Sequence, residues 1–207
     1  MNIGVIGGTG KAGKYLVKQL VRQGYSIKLL ARNPLKLTYH DPLIEVIHGN
    51  ARDYPSVYQV IKGCDAVIST LGPSRGEPDT CSIAVKHINQ AMKELNIKRY
   101  IEVAGLAIDT PGDRKGFRTR LIVKILKWFF PRVIGDRQKG YALLSASDLK
   151  WTIVRCPMIE LTDSTREIKI SLFDSPGRKV SASDLAKFLV SQLTDEQYIH
   201  KCPFISN

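Results

Sequence analysis

A glycine-rich turn after the first apolar run of this chain limits its fold more than any other feature. Ile3 to Ile6 read as a short buried strand, after which Gly7-Gly8-Thr9-Gly10-Lys11-Ala12-Gly13-Lys14-Tyr15 lead into a helical pattern. Counted from Gly8, the turn is G-x-x-x-x-G-K, close to a nucleoside-triphosphate loop, and it is equally G-x-G-x-x-G, a dinucleotide turn. The triphosphate reading needs a hydroxyl directly after the lysine and an acidic residue at another strand end to complete a magnesium site. Here Tyr15 comes after Lys14, and later strand-like runs end in Ala31-Arg32, Ser69-Thr70 and Ala104-Gly105, so that reading fails. In the dinucleotide reading Gly7 makes the tight turn, Gly10 lets the backbone approach the pyrophosphate, and Gly13 lets the helix close on the strand. Lys14 then belongs to an outward helix face with Lys18 and Arg22.

The strand-then-helix pattern recurs along the rest of the chain. Apolar runs at Ile3 to Ile6, Ser26 to Leu30, Ile44 to Ile47, Ala66 to Ser69, Arg99 to Val103 and Trp151 to Val154 predict strands. Helical patterns cover Lys11 to Gln23, Val57 to Lys62, Thr80 to Leu95, a long stretch from Arg118 to Ala146, and Ala182 to Leu193. This alternation predicts an α/β fold: a Rossmann-like, doubly wound parallel sheet with helices on both faces, as a single domain over residues 1–207. Ser181 and Asp184 read as a capping box for the last helix, and Asp53 as the cap of the second. The loop-rich regions at Thr70 to Asp79, Leu106 to Gly116 and Leu161 to Arg178 lie beyond strand ends, where open α/β sheets bind ligands.

Composition narrows the partners. Thirty-one Lys and Arg against nineteen Asp and Glu give a net charge of +12, which favours anionic ligands. No helix-turn-helix, zinc-finger spacing or aromatic-basic strand accompanies the charge, so no nucleic-acid binding is expected. Cys64, Cys81, Cys156 and Cys202 share no C-x-x-C spacing and read as buried reduced thiols, with no metal site. The chain shows no basic leader pattern and no apolar run of membrane-spanning length, so the expectation is a cytoplasmic protein without a membrane span.

The second strand bears on which dinucleotide is held. A carboxylate near its end would bind a ribose 2′-hydroxyl, whereas arginine suits a 2′-phosphate. Arg32 stands there with Lys36 nearby, while Asp41 lies beyond Pro34, which favours NADP(H); a solvated loop charge is the alternative for Arg32. Asn50 and Ala51 come after the third strand, where an adenine would rest. Thr70, Leu71 and Gly72 come after the fourth, close to where a nicotinamide half would extend, although an ordinary turn before Pro73 also explains Gly72.

The segments VIGGTGKAGKYLVKQLVRQGYSIKLLARNP, GCDAVISTLG, DLKWTIVRCPMI and VSASDLAKFLVSQL together resemble the NAD(P)H-binding atypical short-chain dehydrogenases and reductases. Within that group the chain is most similar to biliverdin-IXβ and flavin reductases. The resemblance covers nearly the whole chain and implies NADP(H) across the carboxyl edge of the sheet, a planar electron acceptor above the nicotinamide, and a monomer or weak dimer. It assigns Gly7, Thr9, Gly10, Lys11 and Ala12 to the phosphate turn, Arg32 to the 2′-phosphate, and Asn50 and Ala51 to the adenine shelf. Thr70, Leu71, Gly72, Ala104, Gly105, Pro157 and Met158 then border the nicotinamide.

The chain departs from the common catalytic pattern of that group. A tyrosine activated by a lysine four residues later occurs only as Tyr58 and Lys62, on the wrong helix, and Ala104-Gly105 stand where relatives often carry serine. Tyr141 is the one candidate proton donor near the pocket; its fourth residue onward is Ser145 rather than lysine, so a packing role is the stronger reading. Hydride transfer to a flavin or quinone gives a delocalised anion that solvent can protonate, and a site without the relay suits that task. A non-catalytic NADP(H)-binding sensor like the NmrA-type regulators is the alternative, and an epimerase is a weaker third.

Gly116 to Asp136, GFRTRLIVKILKWFFPRVIGD, is too apolar for an ordinary surface helix. The expectation is that it covers the substrate pocket and completes the core before Pro131 breaks it, with Trp128 or Phe129 facing a planar acceptor. Membrane-surface docking and a dimer contact are the alternatives.

Overall fold

The short β-branched runs pair into one twisted sheet. A computed structural model describes residues 1–37, 39–73 and 76–207, the Lys36 side chain excepted. The first half alternates β1 (Asn2–Ile6), α1 (Gly13–Arg22), β2 (Ser26–Ala31), β3 (Ile44–His48), α2 (Tyr54–Ile61), β4 (Ala66–Ser69), α3 (Thr80–Glu94) and β5 (Arg99–Gly105). The second half carries α4 (Phe117–Phe129), α5 (Pro131–Ser145), β6 (Lys150–Cys156), β7 (Met158–Glu160), β8 (Lys169–Ser171), β9 (Lys179–Ser181), α6 (Ala182–Ser191) and β10 (Phe204–Ser206). Among the described residues the main sheet runs β3-β2-β1-β4-β5-β6-β10-β8, and only β8, antiparallel to β10, departs from parallel pairing. This is the Rossmann-like doubly wound sheet that the sequence predicts. Periodicity does not announce β7 to β10: at three residues each they are too short to show a period, and β8 lies within a region that reads as loop.

Strand alternation divides the core between the two faces. Ile3, Val5, Ile27, Leu29, Ile68, Ile101 and Val103 pack against α1 and α6 through Leu16, Leu20, Leu185 and Leu189. Their neighbours Ile6, Leu30, Val67, Tyr100 and Ala104 turn to the other face and meet Val57, Val60, Val85, Ile88 and Leu144 of α2, α3 and α5. The four cysteines are free and buried, which raises each thiol pKa, to about 11 for Cys64 and Cys81 and about 12 for Cys202.

Caps fix where the helices start. The Asp53 side chain accepts the Ser56 N–H at 2.9 Å, as expected for α2. Ser181 accepts the Asp184 N–H at 3.0 Å, but the reciprocal half of the expected capping box is absent: the Asp184 carboxylate accepts the Arg166 N–H instead, and the Ser181 N–H goes to Asn207. The long stretch expected from Arg118 to Ala146 is two helices. Pro131 sits at the start of α5, where its missing N–H costs nothing, and Phe130 leaves the helical region with φ −129° and ψ 49°.

One buried ion pair orders the loop after β5. Arg155 of β6, with no exposed surface, lies over the Phe204 ring at 3.5 Å and donates to Asp113 at 2.7 and 2.9 Å. Burial alone would raise the Asp113 pKa, yet the Thr110 hydroxyl and Arg155 hold it below the usual carboxylate range. The stretch from Leu106 to Gly116, which borders the site, is thereby tied to the sheet.

Candidate functional site

The strand order reverses between β1 and β4, and the loops that leave these strands part at their carboxyl ends, opening a crevice. Gly7 stands at its floor with φ +84°, and a Cβ there would lie 2.7 Å from the Leu71 nitrogen, so this turn needs glycine on both counts. A Cβ on Gly13 would lie 2.2 Å from the Gly7 oxygen, which is the close helix-to-strand approach assigned to it. Gly10 donates to the Gly7 oxygen at 2.9 Å, the one atom that a Cβ on Gly10 would crowd.

Three cavities succeed one another along this edge. The first, about 230 Å³, is lined by Gly7, Thr9, Gly10, Arg32, Asn50 and Ala51, together with Thr70, Leu71 and Gly72. The second, about 320 Å³, shares Gly10, Thr70, Leu71 and Gly72 with the first and adds Lys11, Ala12, Ala104, Gly105 and Pro157. The third, about 340 Å³, meets the second at Gly105 and Arg137 and is otherwise apolar, with Leu106, Ile108, Leu126, Phe130 and Ile134 among its walls.

Two of the expected residues lie elsewhere. Met158 is 67% exposed and lines none of the three cavities, because successive side chains of β7 point to opposite sides; Pro157 and Ile159 line the wall instead. Tyr141 also lines none of them: its ring stands edge-on to Trp151 at 6.3 Å, and burial raises its pKa. The expectation that Trp128 or Phe129 faces an acceptor is corrected too. Both are largely exposed, and Phe130, which leaves the helix ahead of Pro131, takes the wall position.

The polar groups of the groove are arranged for an anion. Lys11 and Ala12 precede the first turn of α1, and their backbone N–H groups have no protein acceptor among the described residues. The Thr70 hydroxyl is buried and likewise lacks a partner among the described residues, on the stretch shared by the first two cavities. A buried hydroxyl without a partner is costly, so it marks a position that a bound polar group would complete. Arg32 directly succeeds β2 and contacts Glu77 at 3.4 Å, and Glu77 also lies 3.9 Å from Arg52. The Asn50 side chain accepts the Arg52 N–H at 3.1 Å, which turns the chain after β3 into the crevice.

Arg137 is the residue that sequence reasoning missed. From α5 it pairs with Glu102 of β5 at 2.7 Å and also donates to the Leu71 carbonyl, so it holds the β4 loop against β5 beneath the second cavity. Glu102 accepts the Tyr100 hydroxyl at 3.2 Å. Burial raises the Glu102 pKa, and Arg137 draws part of that shift back. A sequence signal existed: Glu102 is the one acid in its strand, and a buried carboxylate requires a cation.

These residues fit a dinucleotide phosphate, and known proteins point the same way. The sequence model of a family described as NAD(P)H-binding matches residues 7–196. Isoflavone reductase homolog P3 of Arabidopsis thaliana is 35% identical over 107 residues, 47% of this chain and 33% of its own length. The (4-alkanoyl-5-oxo-2,5-dihydrofuran-3-yl)methyl phosphate reductase of Streptomyces griseus is 29% identical over 92% of this chain and 62% of its own. The chain thus spans a third of the first relative and less than two thirds of the second. Among solved structures, ChuY, an anaerobillin reductase of Escherichia coli O157:H7, superposes with a TM-score of 0.80 at 15% identity, over all of this chain and 97% of its own. At that identity the likeness concerns the fold. The chain belongs to the NAD(P)H-binding family.

Proposed function

We propose that the protein is an NADPH-dependent reductase that transfers hydride to a flavin, quinone or similar planar acceptor. The observation that carries this reading is the series of three cavities, polar at the glycine turn and apolar at the far end, joined at Gly105 and Arg137. In this reading Lys11 and Ala12 bind the pyrophosphate through their N–H groups, Arg32 binds the 2′-phosphate in exchange for Glu77, and Asn50 and Ala51 border the adenine. Thr70, Leu71, Gly72, Ala104, Gly105 and Pro157 border the nicotinamide. NADPH, when bound, supplies the hydride.

The protein's part is mainly orientation. Among the described residues the walls of the second cavity carry no serine, tyrosine and lysine together, and its cysteine, Cys156, is a buried thiol with a raised pKa. An acceptor that spreads negative charge over a ring system needs no such relay, since its proton comes from solvent. The Arg137 guanidinium, at the junction with the apolar cavity, stabilises the charge that develops on the acceptor.

NADPH oxidation with FMN, riboflavin and a panel of quinones, with NADH in parallel, tests the proposal. Turnover with at least one planar acceptor is expected, and Arg137→Lys lowers kcat by about tenfold or more. Tight NADPH binding without turnover on any acceptor contradicts the reductase reading and favours a sensor.

A further inference from the structure

We infer that α4 is a docking element for an anionic lipid surface. Its outward stripe is Phe117, Leu121, Ile125 and Trp128, spaced so that they share one side of the helix, and Phe117 and Trp128 are 75% and 77% exposed. Only Thr119 and Val123 of this helix are buried. The arrangement inverts that of an ordinary surface helix, whose apolar side faces the core. Ile122 and Phe129 widen the exposed apolar area on one flank.

Charge identifies the occupant. The helix FRTRLIVKILKWF carries the cations Arg118, Arg120, Lys124 and Lys127 and no acid, and Arg132 adds a further cation at the start of α5. Lys127 is paired with Asp109, whereas Arg118, Arg120, Lys124 and Arg132 have no acidic partner within ion-pair distance among the described residues. A second copy meeting this stripe about a two-fold axis would bring like charges together with no acid on the helix to answer them. Anionic headgroups answer them directly, while the apolar stripe enters the boundary between headgroups and acyl chains and Trp128 sits at the depth that suits its ring. At 13 residues the helix is about 20 Å long and lies along such a surface. Among the described residues no helix is long and apolar enough to cross a membrane. The docking does not depend on the redox reading.

The experiment uses the full chain with vesicles of phosphatidylcholine alone or mixed with phosphatidylglycerol. Co-sedimentation with the mixed vesicles and a blue shift of Trp128 emission are expected; Trp151 is buried, and Trp128→Phe removes the shift while binding remains. Arg118→Glu with Lys124→Glu, and separately Leu121→Ser with Ile125→Ser, each weaken partitioning by about tenfold or more. These positions are exposed, so both double variants keep the wild-type melting temperature. No binding to the mixed vesicles overturns the inference, as does binding that the Leu121→Ser and Ile125→Ser changes leave intact. A solution dimer abolished by those same changes overturns it in favour of a second copy.

Discussion

Arg137 and Glu102 form a nearly buried ion pair whose halves depend on each other. Replacing Arg137 with Met strands the Glu102 carboxylate and is expected to cost about 3–5 kcal/mol of stability at neutral pH. The pH dependence has a definite sign. The Glu102 pKa is already raised in the fold by burial, and loss of Arg137 raises it further. The folded variant therefore binds this proton more tightly than the unfolded chain, and its stability falls as pH rises through the folded value. Melting curves of wild type and variant should converge as pH is lowered and the stranded carboxyl takes up its proton; a constant gap contradicts the account. Gly13→Ala acts differently, since its Cβ meets the Gly7 oxygen at 2.2 Å and pushes α1 off the turn. NADPH affinity should fall by about tenfold or more in that variant, whereas Gly112→Ala, with open space around it, should leave affinity unchanged.

At the scale of elements, the crevice depends on how helices are held at their starts. Asp136 of α5 accepts the Cys81 N–H at 2.9 Å and the Ser82 N–H at 3.2 Å, so one helix caps the first turn of another, α3. Asp136→Ala should destabilise the protein by about 2 kcal/mol, with Asp136→Asn recovering part of the loss; equal melting temperatures for all three would contradict this cap. Nothing local in the sequence announces such a cap, because its two halves lie on separate helices with β5 and α4 between them. The glycine turn, by contrast, is legible: strand, turn and helix lie within one continuous stretch, and Gly7 and Gly13 meet the demands assigned to them. Pro157 and Met158 lie between these extremes. Sequence locates the segment, but only the strand's alternation decides that Pro157 and Ile159 share the wall while Met158 leaves it. The segment at 116–136 is legible in composition but only partly in direction: Leu126, Phe130 and Ile134 wall the third cavity as expected, whereas Phe117, Leu121, Ile125 and Trp128 turn outward, and apolar content alone does not say which face does which.

For the whole molecule, the parallel order is implied by alternating strands and helices, and the crevice by the reversal between β1 and β4. The short β10 and β8 that extend the sheet become visible only through pairing. The series of three cavities arises where loops from several strand ends come together, and it carries the functional proposal. The most direct test of that proposal is an equilibrium titration of NADPH and NADH against wild type and Arg32→Ala. Wild type is expected to bind NADPH at least about tenfold more tightly than NADH, with the preference lost in the variant because NADPH binding alone weakens. Equal affinities in the wild type, unchanged by the substitution, would contradict it.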